Sequence, residues 1–361
     1  MKTKNEYRAT MTTKPYRVGL VLSGGGARGA YHVGVIKYLA DMNISIDAVA
    51  GASIGALNGA VVAAEPNLKI AFTHLQEIWD SLAANSPIKI NSTETINYIG
   101  RILLGQIAPL IAGTSDPLSS VANLETLFSE NIGLGDESSI HRLLDKYLDL
   151  EKLQKGLPLY VSVYRSQGSL NDLFSAIIAS VNLNNTKHSE FLHIQSLKRT
   201  QQPIAILASA ALPLLFKAKQ IEVNETNYFY SDGGQGGIKN VQGNTPITPL
   251  LELANCTHII VNHLSDGSLW DRNAFSKAFP NTTVLEIRPG RFIKRQQGLA
   301  KDLIDFDAKN IQSWIEQGYE DTQRCCESVA RALHIHEIAN QARKQRDDAI
   351  NELDNDDFHI D

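Results

Sequence analysis

The sequence predicts an α/β fold built on a largely parallel sheet, and three observations predict it. "YRVGLVLSGGGARGAYHVGVIKYLADMNI" (16–44) reads strand, glycine loop, helix. "IDAVAGASIGALNGAVVAA" (46–64) repeats that order as short strand, glycine turn and small-residue helix. "VGLVL" is a continuous apolar run, as a strand buried on both faces requires. Strands alternating with helices give a parallel sheet.

Taken in order, residues 1–16 are polar and read as a loose arm. Val33, Ile36 and Tyr38–Leu39 recur at roughly helical spacing after the glycine loop. From 66 to 155 the pattern is mostly helical. Within it, "IGRILLGQIAPLIAG" (99–113) is apolar but broken by Gly105 and Pro109. "LPLYVSVYRS" (157–166) reads as a strand, and "YFYSDGG" (228–234) as a strand ending in a turn. "THIIVNHL" (257–264) and "TTVLEIRP" (282–289) are two further strands. From about 309 the chain reads helical, and it ends in an acidic tail, "RDDAINELDNDDFHID".

The 361 residues carry a net charge of −5, so no broad basic surface for nucleic acid is expected. Cys256, Cys325 and Cys326 form neither a disulfide framework nor zinc-type CxxC spacing. A reducing compartment is the simple reading. The first twenty residues lack the apolar core of a signal peptide. No run approaches the ~18 apolar residues of a spanning helix, so any lipid would be met at a surface.

"SGGGARG" (23–29) fits GxGxxG through Gly24, Gly26 and Gly29, after a strand and before a helix. Its backbone N–H groups and the helix start favour a phosphate or an oxyanion. A dinucleotide site is one reading, with Asp47 near the ribose-acid spacing. That acid should end a strand, however, and Asp47 begins one. A tight turn that needs glycine for its angles is the plain alternative.

"GASIG" (51–55) fits GxSxG, a serine on a strand-to-helix elbow between Gly51 and Gly55. The alternative is a glycine-rich helix start capped by Ser53. A serine nucleophile needs a base. His258 and His263 stand later in the chain and are formally available, although a structural histidine is the plainer reading of each. Asp232 ends an aromatic strand before Gly233 and Gly234. It is either an ordinary Asp-Gly turn or a rigid carboxylate that takes the proton of Ser53.

Glycine loop (Gly24–Gly29), elbow (Gly51–Gly55) and "DGG" (Asp232–Gly234), in that order, resemble the patatin-like phospholipases, bacterial members included. "ASAALPLLF" (208–216), "NTPITPLLELA" (244–254) and "FDAKNIQSWIEQGYED" (306–321) are similar to flanking segments of the family. The likeness covers residues 17–321 as one domain. It leaves 322–361 as a helical extension with an acidic tail. The inserted "QGGIKNVQG" (235–243) departs from the family and bears on the cleft beside Asp232.

The resemblance implies a patatin-like three-layer α/β/α fold and a Ser–Asp dyad without histidine. Ser53 would be the nucleophile and Asp232 the base. Gly24, Gly25, Gly26, Ala27, Arg28 and Gly29 would form the oxyanion loop, with Arg28 either bracing it or lying near a lipid phosphate. It implies no metal and no cofactor, and a phospholipid or other acyl-lipid substrate at a membrane surface. The expected place is cytoplasmic with peripheral membrane contact, secretion as an effector remaining open. So do a homo-oligomer and an activating ligand. The segments 99–113 and 173–183 read either as core helices or as an apolar lid. A carboxylesterase with a histidine base and a dinucleotide-binding module are the competing readings.

Overall fold

A computed structural model describes residues 16–86, 137–166, 189–211, 218–235, 243–265, 272–290, 305–327 and 346. The N-terminal arm, both apolar segments read as core or lid, most of the insertion after Asp232 and the acidic tail lie outside these residues.

The strands are β1 (Val18–Leu22), β2 (Ala48–Ala52), β3 (Leu159–Arg165), β4 (Glu190–His193), β5 (Lys219–Val223), β6 (Thr226–Asp232), β7 (His258–Asn262) and β8 (Thr283–Ile287). They form one sheet in the order β5-β6-β3-β2-β1-β7-β8, with β4 also paired to β3. The pairs β3–β2, β2–β1, β1–β7 and β7–β8 are parallel; β4, β5 and β6 enter antiparallel. The parallel half is the part that alternating strands and helices predict. The β5–β6 hairpin and β4 escape that pattern. The hairpin turns on Asn224 and Glu225, both at positive φ (49° and 62°). That is the backbone of a two-residue type I′ turn, made here without the usual glycine.

Helices cover both faces. The helices are α1 (Ala30–Asp41), α2 (Ile54–Ala64), α3 (Leu68–Ala84), α4 (Glu137–Tyr147), α5 (Leu150–Lys155), α6 (Gln202–Ser209), α7 (Thr248–Glu252) and α8 (Arg272–Ala278). A last helix, α9, spans 308–327. Strand residues alternate between two apolar clusters, as a period of two demands. Leu20, Leu22, Val49, Val161 and Ile260 join the cluster with α1, α2, α3 and α6. Val21, Ala48, Ala50, Tyr160 and Val261 join the other, with Leu250 of α7 and Phe275 of α8. The result is helix, sheet and helix in three layers. Helix α9 runs through residues 321 and 322 without a break, where Thr322 is buried and donates to the Gly318 carbonyl (2.6 Å).

The pairing of β3 positions the site. Tyr160, Val161 and Ser162 have β2 on one edge and β4 on the other. Val163 pairs with Glu190 of β4 and also with Asp232 of β6. Asp232 therefore lies on the edge of β3 that β2 vacates after Ala52. Strands β2 and β6 run head-on along that edge, and their ends meet at Ser53 and Asp232.

Candidate active site

Ser53 follows β2 at φ 53°, ψ −125°, and α2 starts at the next residue. A non-glycine residue rarely holds positive φ, so the strain must be maintained by its surroundings. Two close approaches maintain it. A Cβ on Gly51 would stand 2.3 Å from the Gly55 carbonyl oxygen, and one on Gly55 would stand 2.0 Å from that of Leu22. The elbow needs both glycines because β1, β2 and α2 pack backbone to backbone there. The Ser53 N–H donates to Ser209 Oγ (3.0 Å), which donates in turn to the Ser162 carbonyl (2.6 Å). Sequence reasoning gave Ser209 no role, since a serine in a small-residue helix carries no motif.

Asp232 is buried at the end of β6. Its Oδ1 accepts the Gly234 N–H (2.8 Å), while Oδ2 has no partner at hydrogen-bond geometry. Desolvation pushes its pKa up from 3.8 to about 6, opposed by the nearby Ser53 hydroxyl and by the Gly234 N–H. Hydroxyl and carboxylate thus interact without a closed hydrogen bond, a spacing common in unliganded sites.

The glycine loop lies against the elbow: a Cβ on Gly24 would stand 3.2 Å from Ser53 Cβ. The Gly24 N–H is engaged by the Asn244 carbonyl (3.2 Å), and the Arg28 N–H by that of Gly25 (3.3 Å). A short 3₁₀ turn, Gly26–Gly29, leads into α1, with Gly26 at φ 56°. Gly25, Gly26 and Ala27 precede the first hydrogen bond of this turn. Their N–H groups are the donors that a helix start leaves over. Arg28 is buried; it donates to the Leu264 carbonyl (3.4 Å) and lies 5.9 Å from the Trp314 ring centre. That is a bracing position.

The competing residues sit elsewhere. His258 pairs with Val18 at the start of β1, the far end of the parallel strands from Ser53, and contacts Thr257 Oγ1 (3.0 Å). His263 is buried with Nε2 against Glu286 of β8 (3.2 Å), on the side of β7 away from β2. Asp47 accepts the Val18 N–H (2.7 Å), which ties it to the wrong end of the sheet for a ribose at the glycine loop. Among the described residues, no cluster of three or more His, Cys, Asp or Glu could hold a metal ion.

Fold and constellation together define a class: α/β proteins that present an elbow serine to a buried carboxylate beside a glycine loop, the layout of a serine hydrolase. A family model described as patatin-like phospholipase matches residues 20–251, and the chain belongs to that family. The neuropathy target esterase sws of Drosophila persimilis is 55% identical over 51 residues, 14% of this chain and 4% of that protein. Its Drosophila melanogaster counterpart is 53% identical over 51 residues, again 4% of its length. The chain therefore matches only a small part of these relatives. Among solved structures, VipD from Legionella pneumophila is similar with 16% identity and a TM-score of 0.40, over 87% of this chain and 67% of that one. The type III effector ExoU is similar with 14% identity and a TM-score of 0.33, over 96% of this chain and 66% of that one.

Proposed function

We propose that this chain is a lipid acyl hydrolase of phospholipase A type, cleaving ester-linked acyl chains through a Ser53–Asp232 dyad. The observation that carries the reading is the buried Asp232 carboxylate, which interacts with the Ser53 hydroxyl at the end of β6. Ser53 Oγ attacks the ester carbonyl while Asp232 takes its proton. The tetrahedral oxyanion is met by the N–H groups of Gly25, Gly26 and Ala27, each donor contributing about 3–4 kcal/mol in comparable sites. Asp232 then gives the proton to the leaving alcohol. Water, deprotonated by the same carboxylate, releases the fatty acid from Ser53.

Family membership supports the lipid substrate. No helix of the described residues is long and apolar enough to cross a membrane. On family membership, the substrate is assigned to a lipid surface. Lipid mass spectrometry after incubation with mixed phospholipids tests the assignment. Free fatty acid and lysophospholipid should appear with the wild type and not with Ser53→Ala. Equal product from both proteins would overturn it.

A further inference from the structure

An apolar cavity lies on the face of α2 that turns away from the sheet. Its wall includes Leu57 and Val61 of α2, Ile78 of α3, Leu143 and Leu144 of α4, and Phe306. Ile54, the residue after Ser53, belongs to the same wall. We propose that this cavity holds the acyl chain of the ester cleaved at Ser53, and that it selects long unbranched chains. The proposal rests on the hydrolase reading and adds where the chain goes.

Three observations carry it. The first is continuity: α2 begins right after Ser53, and its row Ile54, Leu57, Val61, on the cavity side of the helix, descends from the serine one turn at a time. At about 1.5 Å per residue, Val61 lies about 12 Å along the axis from Ser53, a depth suited to an extended chain of about ten carbons. The second is dryness. Among the described residues of the wall, Asn58 and Tyr147 are the polar ones, and both are occupied. Asn58 Nδ2 donates to the Gly29 carbonyl (3.0 Å) and contacts His32 Nδ1 (3.1 Å), while its Oδ1 accepts from Trp79 Nε1 (3.1 Å). Tyr147 OH donates to Glu77 (2.9 Å) and accepts from Lys146 (2.8 Å). A polar or charged group entering the cavity would find no partner among these residues and would lose its hydration; a methylene chain loses nothing. The third is shape. Helices α2, α3 and α4 bound the space with leucine and isoleucine side chains on several sides, which suits a slender chain and opposes a branched one.

The test is a chain-length comparison on the full chain, with p-nitrophenyl butyrate and dodecanoate as substrates. Wild type should have the higher kcat/KM on dodecanoate. Leu57→Trp and Leu143→Trp fill the cavity from two different helices. Each should lower the dodecanoate-to-butyrate ratio of kcat/KM by at least about tenfold, the scale on which hydrophobic pockets discriminate. Misfolding lowers both substrates together and leaves the ratio intact, so the ratio reads the cavity. An unchanged ratio in a folded variant, or a wild type that prefers butyrate, would overturn the assignment while leaving the hydrolase reading in place. A wild type inactive on both esters would overturn the hydrolase reading itself, and the acyl assignment with it.

Discussion

Ala52 and Asp232 occupy successive positions on one edge of β3, opposite Ser162 and Val163. The two come from strands running in opposite directions, so the residue after β2 and the last residue of β6 face each other across the join. The serine elbow and its carboxylate are thereby held by sheet pairing rather than by a flexible loop. Such a join costs something: a carboxylate desolvated at a sheet end and a serine at positive φ are both unfavourable. The predictions below read out those costs.

Asp232→Asn keeps the side-chain shape and removes the base. Turnover should fall by at least ~100-fold, the usual contribution of a positioned general base. Ester hydrolysis at saturating substrate checks it. Retention of more than about a tenth of the rate would mean that another group takes the proton.

The pH profile should report the desolvated carboxylate. Asp232 must be ionised to act, and burial puts its pKa at about 6. Log kcat/KM should climb with pH up to about 6 and level off above it. A midpoint near an ordinary aspartate's would show that the carboxylate is solvated in the working enzyme.

The same shift affects stability in the opposite sense. Folding raises the Asp232 pKa from 3.8 to about 6, so the folded state holds the proton more tightly than the unfolded state. Stability from this group is fully present below the unfolded pKa and is lost as pH rises through about 6. Above that, the ionised carboxylate costs on the order of 3 kcal/mol. Asp232→Asn should therefore melt higher than wild type at pH 8, with the gap closing towards pH 4. A variant that melts lower at pH 8 would contradict this account.

Gly24→Ala and Gly26→Ala should harm chemistry by different routes. At Gly24 the new Cβ meets Ser53 Cβ at 3.2 Å and Asn244 Oδ1 at 2.4 Å, so it crowds the nucleophile. At Gly26 it strains a backbone at φ 56° and turns an N–H off the oxyanion. Loss of one donor should slow turnover about 10²–10³-fold. KM should move less, because the donor acts on charge that develops in the transition state. Melting and kinetics on the same proteins separate this from simple unfolding: a fall in both together makes the loop a structural turn.

His258→Ala and His263→Gln should keep most of the activity, since neither ring lies beside Ser53. His263→Gln should cost some melting temperature, because it disturbs the buried contact with Glu286. An inactive but folded variant of either, together with an active Asp232→Asn, would favour a histidine-based esterase.

The sequence by itself determined the parallel half of the sheet, the elbow at Ser53 and the glycine loop. Each is a local pattern: a short apolar run, a turn that only glycine permits, a helix start. The same patterns left Ser53 readable as a helix cap, and left His258, His263 and Asp232 as rival bases. Which of these positions lies next to Ser53 is set only by the tertiary structure, because distance from Ser53 depends on strand order and register. Strand β3 sets Asp232 at the end of β2, while β7 carries His258 to the opposite end of the sheet. Strand β6 was read from "YFYSDGG", but β4, β5 and the turn that joins β5 to β6 were not legible, since a four-residue strand and an Asn-Glu turn give no periodic signal. Nor were the supports of the elbow, Ser209 and Ser162, whose hydrogen bonds form only once α6 packs on β3. The state of Asp232 follows the same logic: its identity is written in the sequence, but its raised pKa comes from burial, which only the packed chain supplies.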